Sequence, residues 1–327
     1  MTNPRVLCLG EILFDLLADR LGLPLEQVQS WTPYAGGAPA NVACALVKLG
    51  TSSGFIGSVG VDEPGNSLVQ LLQDVGVDVT GVQRHPTAPT RQVYVVRSES
   101  GDRTFAGFGE IPTTDFADAY LQANDIPVSL FADADFLVLG TLELAYRETR
   151  AAIEKAIGLA EQYDVKIMVD VNWRPVFWSN YEDAKQRIKT FLNKVDFLKI
   201  SDEEADLLVG TQDAGAIKYK LDAVDGVVVT AGDREVGYCL GGNEGKVSAF
   251  SVDVRDTTGA GDGFMAGFIH QLCHRGIRCL RDSQTARDVV TYACAVGALT
   301  AMQPGAIASQ PTAAEVEAFL ANYVSAF

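Results

Sequence analysis

Short β-rich runs recur along this chain at Val6–Leu9, 55–59, Phe136–Leu139, 166–171, 197–200 and 227–230, and helical patterns at 40–49, 67–74, Arg147–Tyr163, 182–193 and Asp202–Leu208 separate most of them. Strands joined through helices pair in parallel, and a parallel sheet needs helices on both faces to bury it. The alternation therefore predicts an α/β fold with a mostly parallel central sheet. Gly10-Glu11, Gly140-Thr141, Asn172, Ser201 and Ala231-Gly232 follow these strands. Ligands of such sheets bind outside the strands' carboxyl ends, so these residues are expected to line one crevice. Segments 11–33 and 90–108 break the rhythm: Gln92–Arg97 and 103–108 read as strands turning about Ser100-Gly101-Asp102. Taken alone, they predict only that a β insertion interrupts the main sheet.

The run Asp256-Thr257-Thr258-Gly259-Ala260-Gly261-Asp262-Gly263-Phe264 sets small residues and an acid at the start of an apolar helix. Helix N-termini present unpaired amides and the positive end of a dipole, and small residues let those amides approach an anion. A carboxylate there would repel a phosphate. Asp262 therefore reads as a base that takes a proton from an attacking hydroxyl, with Gly259, Ala260 and Gly261 holding the phosphoryl group. The spacing fits an N-cap Asp after a Gly-rich turn equally well.

A second motif lies far upstream: Gly36-Gly37-Ala38-Pro39-Ala40-Asn41-Val42-Ala43, then Leu49-Gly50, then Ile56-Gly57-Ser58-Val59-Gly60-Val61-Asp62-Glu63-Pro64-Gly65. The two motifs, in this order, resemble the N- and C-terminal signatures of the PfkB, or ribokinase-like, family of carbohydrate kinases. The resemblance runs from Gly10-Glu11 to Gly305-Ala306 and is strongest to fructokinases. It implies a ribokinase-like three-layer α/β/α sandwich with a small β lid from residues 11–35 and 88–110. It also implies ATP and Mg²⁺ as cofactors, K⁺ beside them, and a sugar hydroxyl as acceptor. Fructose to fructose 6-phosphate is the first expectation. 2-Keto-3-deoxygluconate or ribose is the alternative sugar, and a catalytically silent sugar-binding protein is the alternative of another class. A homodimer through the lid is left open.

The resemblance assigns sites residue by residue. Asp15, Gly36, Gly37 and Asn41 match sugar-contacting positions, although Gly36-Gly37 also suits a plain turn into a helix. Phe105 and Phe108 are placed to cap a sugar or to pack the lid. Asp170-Val171-Asn172-Trp173-Arg174 resembles an Asp-x-Asn-x-Arg segment of fructokinases and 2-keto-3-deoxygluconate kinases. There Arg174 suits bidentate contact with sugar or phosphate oxygens, or a structural salt bridge. In Lys199-Ile200-Ser201-Asp202-Glu203-Glu204, Ser201 stands where Asn is frequent, and Glu204 is assigned to Mg²⁺ through water. Ser201 and Glu204 equally make a capping box. Thr230 and Gly232 match a nucleotide turn, and Cys294 stands where Asn often flanks adenine. Asp256, Thr258, Gly305 and Ser309 match the oxygen-rich loops that enclose a monovalent cation.

The balance of 42 acidic against 26 basic residues gives a formal charge of −16. That argues against nucleic acid and anionic membranes as partners, since both depend on clustered Lys and Arg. Segment 289–302 is apolar but shorter than the ~20 residues of a membrane span and predicts a buried helix. Six scattered cysteines without a Cys-x-x-Cys pair, and no signal peptide, predict a reducing cytosol. With no linker or repeat, residues 1–327 are expected to form a single domain. His270 and His274 share a helical face, but no Glu follows the first and no fourth ligand is evident, which argues against zinc. No strand runs into Gly-x-Gly-x-x-Gly, which argues against a dinucleotide-binding dehydrogenase.

Overall fold

Each of the six β-rich runs becomes a strand of one sheet. The computed structural model describes residues 3–99 and 103–324. In chain order the strands are β1 (Val6–Leu9), β2 (Leu13–Ala18), β3 (Trp31–Gly36), β4 (Ser53–Gly60), β5 (Asp78–His85), β6 (Gln92–Arg97), β7 (Arg103–Gly107), β8 (Phe136–Leu139), β9 (Lys166–Asp170), β10 (Phe197–Ser201), β11 (Gly226–Thr230), β12 (Glu235–Leu240) and β13 (Asn243–Ser248). The helices are α1 (Ala38–Lys48), α2 (Glu63–Val75), α3 (Arg147–Tyr163), α4 (Tyr181–Leu192), α5 (Asp202–Leu208), α6 (Ala214–Lys220), α7 (Ala260–Arg275), α8 (Ser283–Ala301) and α9 (Ala313–Val324).

The large sheet runs β13-β12-β11-β10-β9-β8-β1-β4-β5 and is parallel from β11 to β5. The sequence pattern does not mark β5 or the antiparallel strands β12 and β13, of which β13 forms the edge. β5 and β13 have one fully buried residue each and β12 is broken by Gly237, so none carries the unbroken apolar run that marks a strand buried on both faces. In β1, Val6 and Cys8 pack into the core on one face with α1, α7 and α8, while Leu7 and Leu9 join α3, α4, α5 and α6 on the other. The two-residue period of a strand thus builds both outer layers from one apolar run. Residues 289–302 lie in the buried α8 and the cap that follows it, and no helix among the described residues is long and apolar enough to cross a membrane.

The chain leaves β1 toward β4 and β5, then returns to β8 on the other side of β1. This reversal opens a crevice at the carboxyl ends of β1 and β8. The two irregular segments form a separate four-stranded sheet, β3-β2-β6-β7, above that crevice. Its β6–β7 pairing is antiparallel, as a hairpin requires, while the turn expected at Ser100-Gly101-Asp102 lies outside the described residues.

One buried cation anchors the small sheet. Arg91, just before β6, is 1% exposed and donates to both carboxylate oxygens of Asp118, at 2.5 and 2.7 Å. It also donates to Thr113 O and Tyr146 Oη, and the rings of Phe108, Phe116, Tyr146 and Phe177 surround its guanidinium. Phe108 therefore packs against this guanidinium and the neighbouring rings at the root of the small sheet. His270 is a core histidine: its Nδ1 lies 2.8 Å from Thr51 Oγ1, its ring stacks on Tyr292, and burial pushes its pKa down to about 4. Removing one partner of a buried ion pair strands the other in a medium that cannot solvate it. Asp118→Ala is therefore expected to lower unfolding free energy by about 3–5 kcal/mol. Urea denaturation at neutral pH measures this, and a loss below about 1 kcal/mol would show that the pair is solvated.

Candidate functional site

A cavity of about 730 Å³ lies between the small sheet and the carboxyl edge of the large one. Glu11 after β1, Leu142 after β8, Asp170 and Asn172 at β9, and Lys199 and Ser201 on β10 line its floor. Leu13, Asp15, Val93, Val95 and Phe105 line it from the small sheet, and Asn41 and Asp262 come from the first turns of α1 and α7. The expected crevice thus gathers Asp15, Gly37, Asn41, Phe105, Asp170, Asn172, Arg174, Lys199, Ser201, Glu204, Thr258, Gly259, Gly261 and Asp262.

Gly37 is the entry to α1 and has φ 105°, a conformation that L side chains avoid. A Cβ there would lie 2.5 Å from Glu11 O, so the turn passes directly over the loop after β1. This sets Glu11 Oε1 as acceptor for Ala38 N at 2.8 Å. Gly36 ends β3, where a Cβ would stand 2.9 Å from Asp15 Oδ2. Three residues into α1, Asn41 Nδ2 donates to Asp262 Oδ2 at 2.8 Å, while Asn41 Oδ1 is buried with no partner.

Gly259 caps α7 in the left-handed conformation, with φ 80°. Its neighbour Ala260 donates its amide to Thr257 O at 3.1 Å, so that N–H is committed to the turn and is not available to an anion. The expectation that residues 259, 260 and 261 form the cradle is corrected accordingly. The amides of Gly259, Gly261 and Asp262 have no protein acceptor among the described residues. Asp262 keeps partial access to the cavity but is otherwise enclosed. Burial raises its pKa to about 6; Asp170 and Glu11 push the same way, while the Asn41 hydrogen bond and Lys199 oppose. A carboxyl that ionises just below neutrality is suited to take up a proton at pH 7.

Lys199 Nζ holds Asp170 Oδ2 at 2.6 Å, with both groups buried. Burial disfavours the ammonium, but Asp170 outweighs it and Glu204 and Asp262 add to the effect, so the Lys199 pKa is raised. A Cβ on Gly261 would lie 3.3 Å from Lys199 Nζ, which puts this cation beside the unpaired amides. Glu204 spans two elements: Oε1 accepts from Trp173 N at 2.6 Å and Oε2 from Ser201 N at 2.8 Å, completing a capping box on α5. Asn172, next to Trp173, adopts φ 41°, which asparagine tolerates better than most residues. Arg174 lines the cavity and donates to Trp173 O; it forms no ion pair among the described residues.

Other expected residues stand apart from the cavity lining. Thr230 pairs with Ser201 at the end of β11, and Gly232 follows in a turn. Cys294 is a buried thiol of α8, its pKa pushed up to about 12 by burial, so it is a core residue with no cavity-facing role in this structure. Asp256 Oδ1 accepts from Thr258 N and Oγ1, and its Oδ2 accepts from Gly305 N at 3.0 Å. Ser309 Oγ is buried without a partner. A carboxylate and an orphaned hydroxyl in adjoining loops fit a monovalent cation. No group of three or more His, Cys, Asp or Glu among the described residues could hold a metal. Mg²⁺ would therefore take most of its ligands from phosphates and water, with Glu204 beyond them.

Two arginines of the small sheet and its root are spent on other partners: Arg91 is sealed by Asp118, and Arg97 donates to Ala18 O and Asp19 O. The Arg103 side chain lies outside the described residues. Glu11 lines the cavity as its place after β1 leads one to expect, whereas Leu142, Val176 and Phe177 join it without a sequence assignment. Leu142 has a visible signal in its position after β8, whereas Phe177 is brought in by a turn whose path no local pattern fixes.

Residues 3–313 match the pfkB family carbohydrate kinase profile. Probable fructokinase-6, chloroplastic, of Arabidopsis thaliana is 34% identical over 314 residues, covering 95% of this chain and 80% of the relative. Fructokinase from Xylella fastidiosa with bound ATP superposes with a TM-score of 0.88 at 28% identity, covering 98% of both chains. Fructokinase from Vibrio cholerae O395 in its fructose, ADP and calcium ion bound form gives 0.83 at 30% identity, covering 97% of this chain and 99% of the other. A double mutant of that enzyme is known with fructose, ADP and potassium.

The pKa of Asp262 carries a stability consequence with a definite sign. A folded-state value near 6, above the ordinary 3.8, means the folded state binds this proton more tightly than the unfolded state does. The stabilisation is fully present below the unfolded value and is lost as pH rises through about 6. Asp262→Asn is therefore expected to be more stable than the parent at pH 8, by about 1–2 kcal/mol. The difference should shrink toward zero as pH falls to about 4. Urea melts of both proteins across this range measure it; an Asn variant no more stable at pH 8 would contradict the assigned burial.

Proposed function

Because the chain belongs to the pfkB family of carbohydrate kinases, and is an ATP-dependent sugar kinase, we propose that its acceptor is fructose, phosphorylated at the primary hydroxyl to fructose 6-phosphate. The observation that carries the mechanism is the Asn41–Asp262 contact. One oxygen of the carboxylate is fixed by Asn41 at 2.8 Å, which holds the group in one orientation and leaves its other oxygen to meet a sugar hydroxyl. Asp262 takes the hydroxyl proton. The amides of Gly259, Gly261 and Asp262, with Lys199 beside them, receive the negative charge that gathers on the transferred phosphoryl group. Asp15, Gly36, Gly37, Asp170, Asn172 and Arg174 complete the sugar shell, with Phe105 above it, and Thr230 and Gly232 serve the nucleotide. When bound, Mg²⁺ neutralises phosphate charge, with Glu204 orienting its water.

The charge of the cavity favours a neutral sugar over 2-keto-3-deoxygluconate. Glu11, Asp15, Asp170, Glu204 and Asp262 line it, Lys199 is already paired with Asp170, and Arg174 is the remaining cation. A substrate carboxylate would enter against that field. A silent binding protein would have no use for a carboxylate tuned near neutrality beside unpaired amides. The small sheet acts as a lid, with residues 1–327 as one domain, and a homodimer through the lid's exposed Tyr34 and Phe105 belongs to the same reading. The six unpaired cysteines support a reducing cytosol.

A coupled ADP-release assay over a panel of sugars is expected to give the highest kcat/KM with fructose, and Asp262→Asn should lose about 10²- to 10⁴-fold in turnover. A higher kcat/KM with ribose or 2-keto-3-deoxygluconate would replace fructose, and turnover in the Asn variant within a few-fold of the parent would remove Asp262 as base. K⁺, held by Asp256, Thr258, Gly305 and Ser309, would order the turn that leads into α7. Turnover is expected to be higher in K⁺ than in tetramethylammonium at equal ionic strength, and equal rates in the two salts would exclude a functional cation there.

A further inference from the structure

Lys48 closes α1, and its ammonium leaves that helix to meet three backbone carbonyls of one loop, Ile307 O at 2.6 Å, Ala308 O at 3.3 Å and Gln310 O at 3.3 Å. A lysine head has three donors, so all three are spent on residues 307–310. Among the described residues no carboxylate forms an ion pair with Lys48. The same loop touches the head of α7 and its partner α1 at three further points. Gly305 N donates to Asp256 Oδ2 at 3.0 Å. Ala306 leaves no space on Gly259, where a Cβ would lie 2.9 Å from Ala306 Cα. Gln310 Nε2 donates to Asn41 O at 2.9 Å, and Asn41 in turn holds Asp262.

We propose that Lys48 is a positioning residue for phosphoryl transfer: a fixed cation that gathers the carbonyls of loop 303–310 and, through that loop, holds the left-handed turn at Gly259 in the shape that presents the α7 amides. The proposal rests on the kinase reading given above. Its physical basis is that carbonyl dipoles converging on one point repel each other unless a cation stands there. Amides already fixed before the phosphoryl group arrives stabilise its charge without reorganisation. Lys48 lies at the far end of α1 from the cavity and does not line it, so its loss acts on turnover and leaves sugar affinity alone.

The test compares Lys48→Met, Lys48→Gln and Lys48→Arg with the parent. Lys48→Met is expected to lower kcat about tenfold with fructose KM within about twofold, and Lys48→Arg, which keeps the charge, to recover most of the loss. Amide hydrogen exchange in peptides spanning 256–264, measured without sugar or nucleotide, should quicken in the Met variant while the rest of the chain is unchanged. Lys48→Gln supplies the neutral comparison should the Met variant fail to fold. Parent-like exchange at 256–264, an unchanged kcat, or a uniform rise in exchange over the whole chain would each overturn the proposal. A parent inactive on fructose would count against the substrate reading alone, because the exchange measurement needs no substrate.

Discussion

Helix α7 is the element on which the site depends, and its position is fixed by how closely it packs against its neighbours. Gly263 and Gly267 face α8 with no room for a methyl group: a Cβ at the first would lie 2.6 Å from Thr300 Oγ1 and at the second 2.8 Å from Val296 Cγ2. Residues 263–273 of α7 are all buried. A helix so enclosed cannot slide or turn by even a fraction of a residue, because interiors are packed as densely as crystals. Its first turn is therefore held at the edge of the cavity, and the Asp262 carboxyl and the amides of Gly261 and Asp262 sit in a fixed frame.

Helix α1 is pinned to the same frame from the other side. Its entry turn lies on the backbone of Glu11, its Asn41 reaches Asp262, and its Lys48 grips the loop that supports Gly259. Two helix N-termini thus converge on one cavity, one suited to a sugar hydroxyl and one to an anion. Their positive ends also temper a cavity rich in carboxylates. Lys199 balances Asp170 directly, while Asp262 is left to titrate near neutrality because burial and neighbouring acids outweigh its single hydrogen bond.

The small sheet is tied on by different physics. Arg91 is desolvated, paired through both carboxylate oxygens to Asp118 and ringed by aromatics, so the root of β6 is firm. Phe105 on β7 remains partly exposed over the cavity.

The order of the strands was not legible in the sequence, but the mostly parallel sheet, its six inner strands and the crevice at their ends were, because an apolar run buried on both faces and a small polar residue at its end are local signals. The same holds for the small sheet's hairpin and for the residues of the two glycine motifs. The strands β5, β12 and β13 were not legible because β5 and β13 are largely wet and β12 is interrupted by Gly237, which dilutes the pattern. The reach of Lys48 to residues 307–310 was not legible for the opposite reason: which way a helical side chain points is set by its neighbours and not by its spacing. Sequence alone determined which residue types stand at the strand ends and helix starts. Only the tertiary structure decided that Ala260 spends its amide on Thr257, that Arg91 and Arg97 turn away from the cavity, and that Asn41 meets Asp262. Those outcomes depend on distances between segments remote in the chain, and such distances are fixed by packing once all the layers are in place.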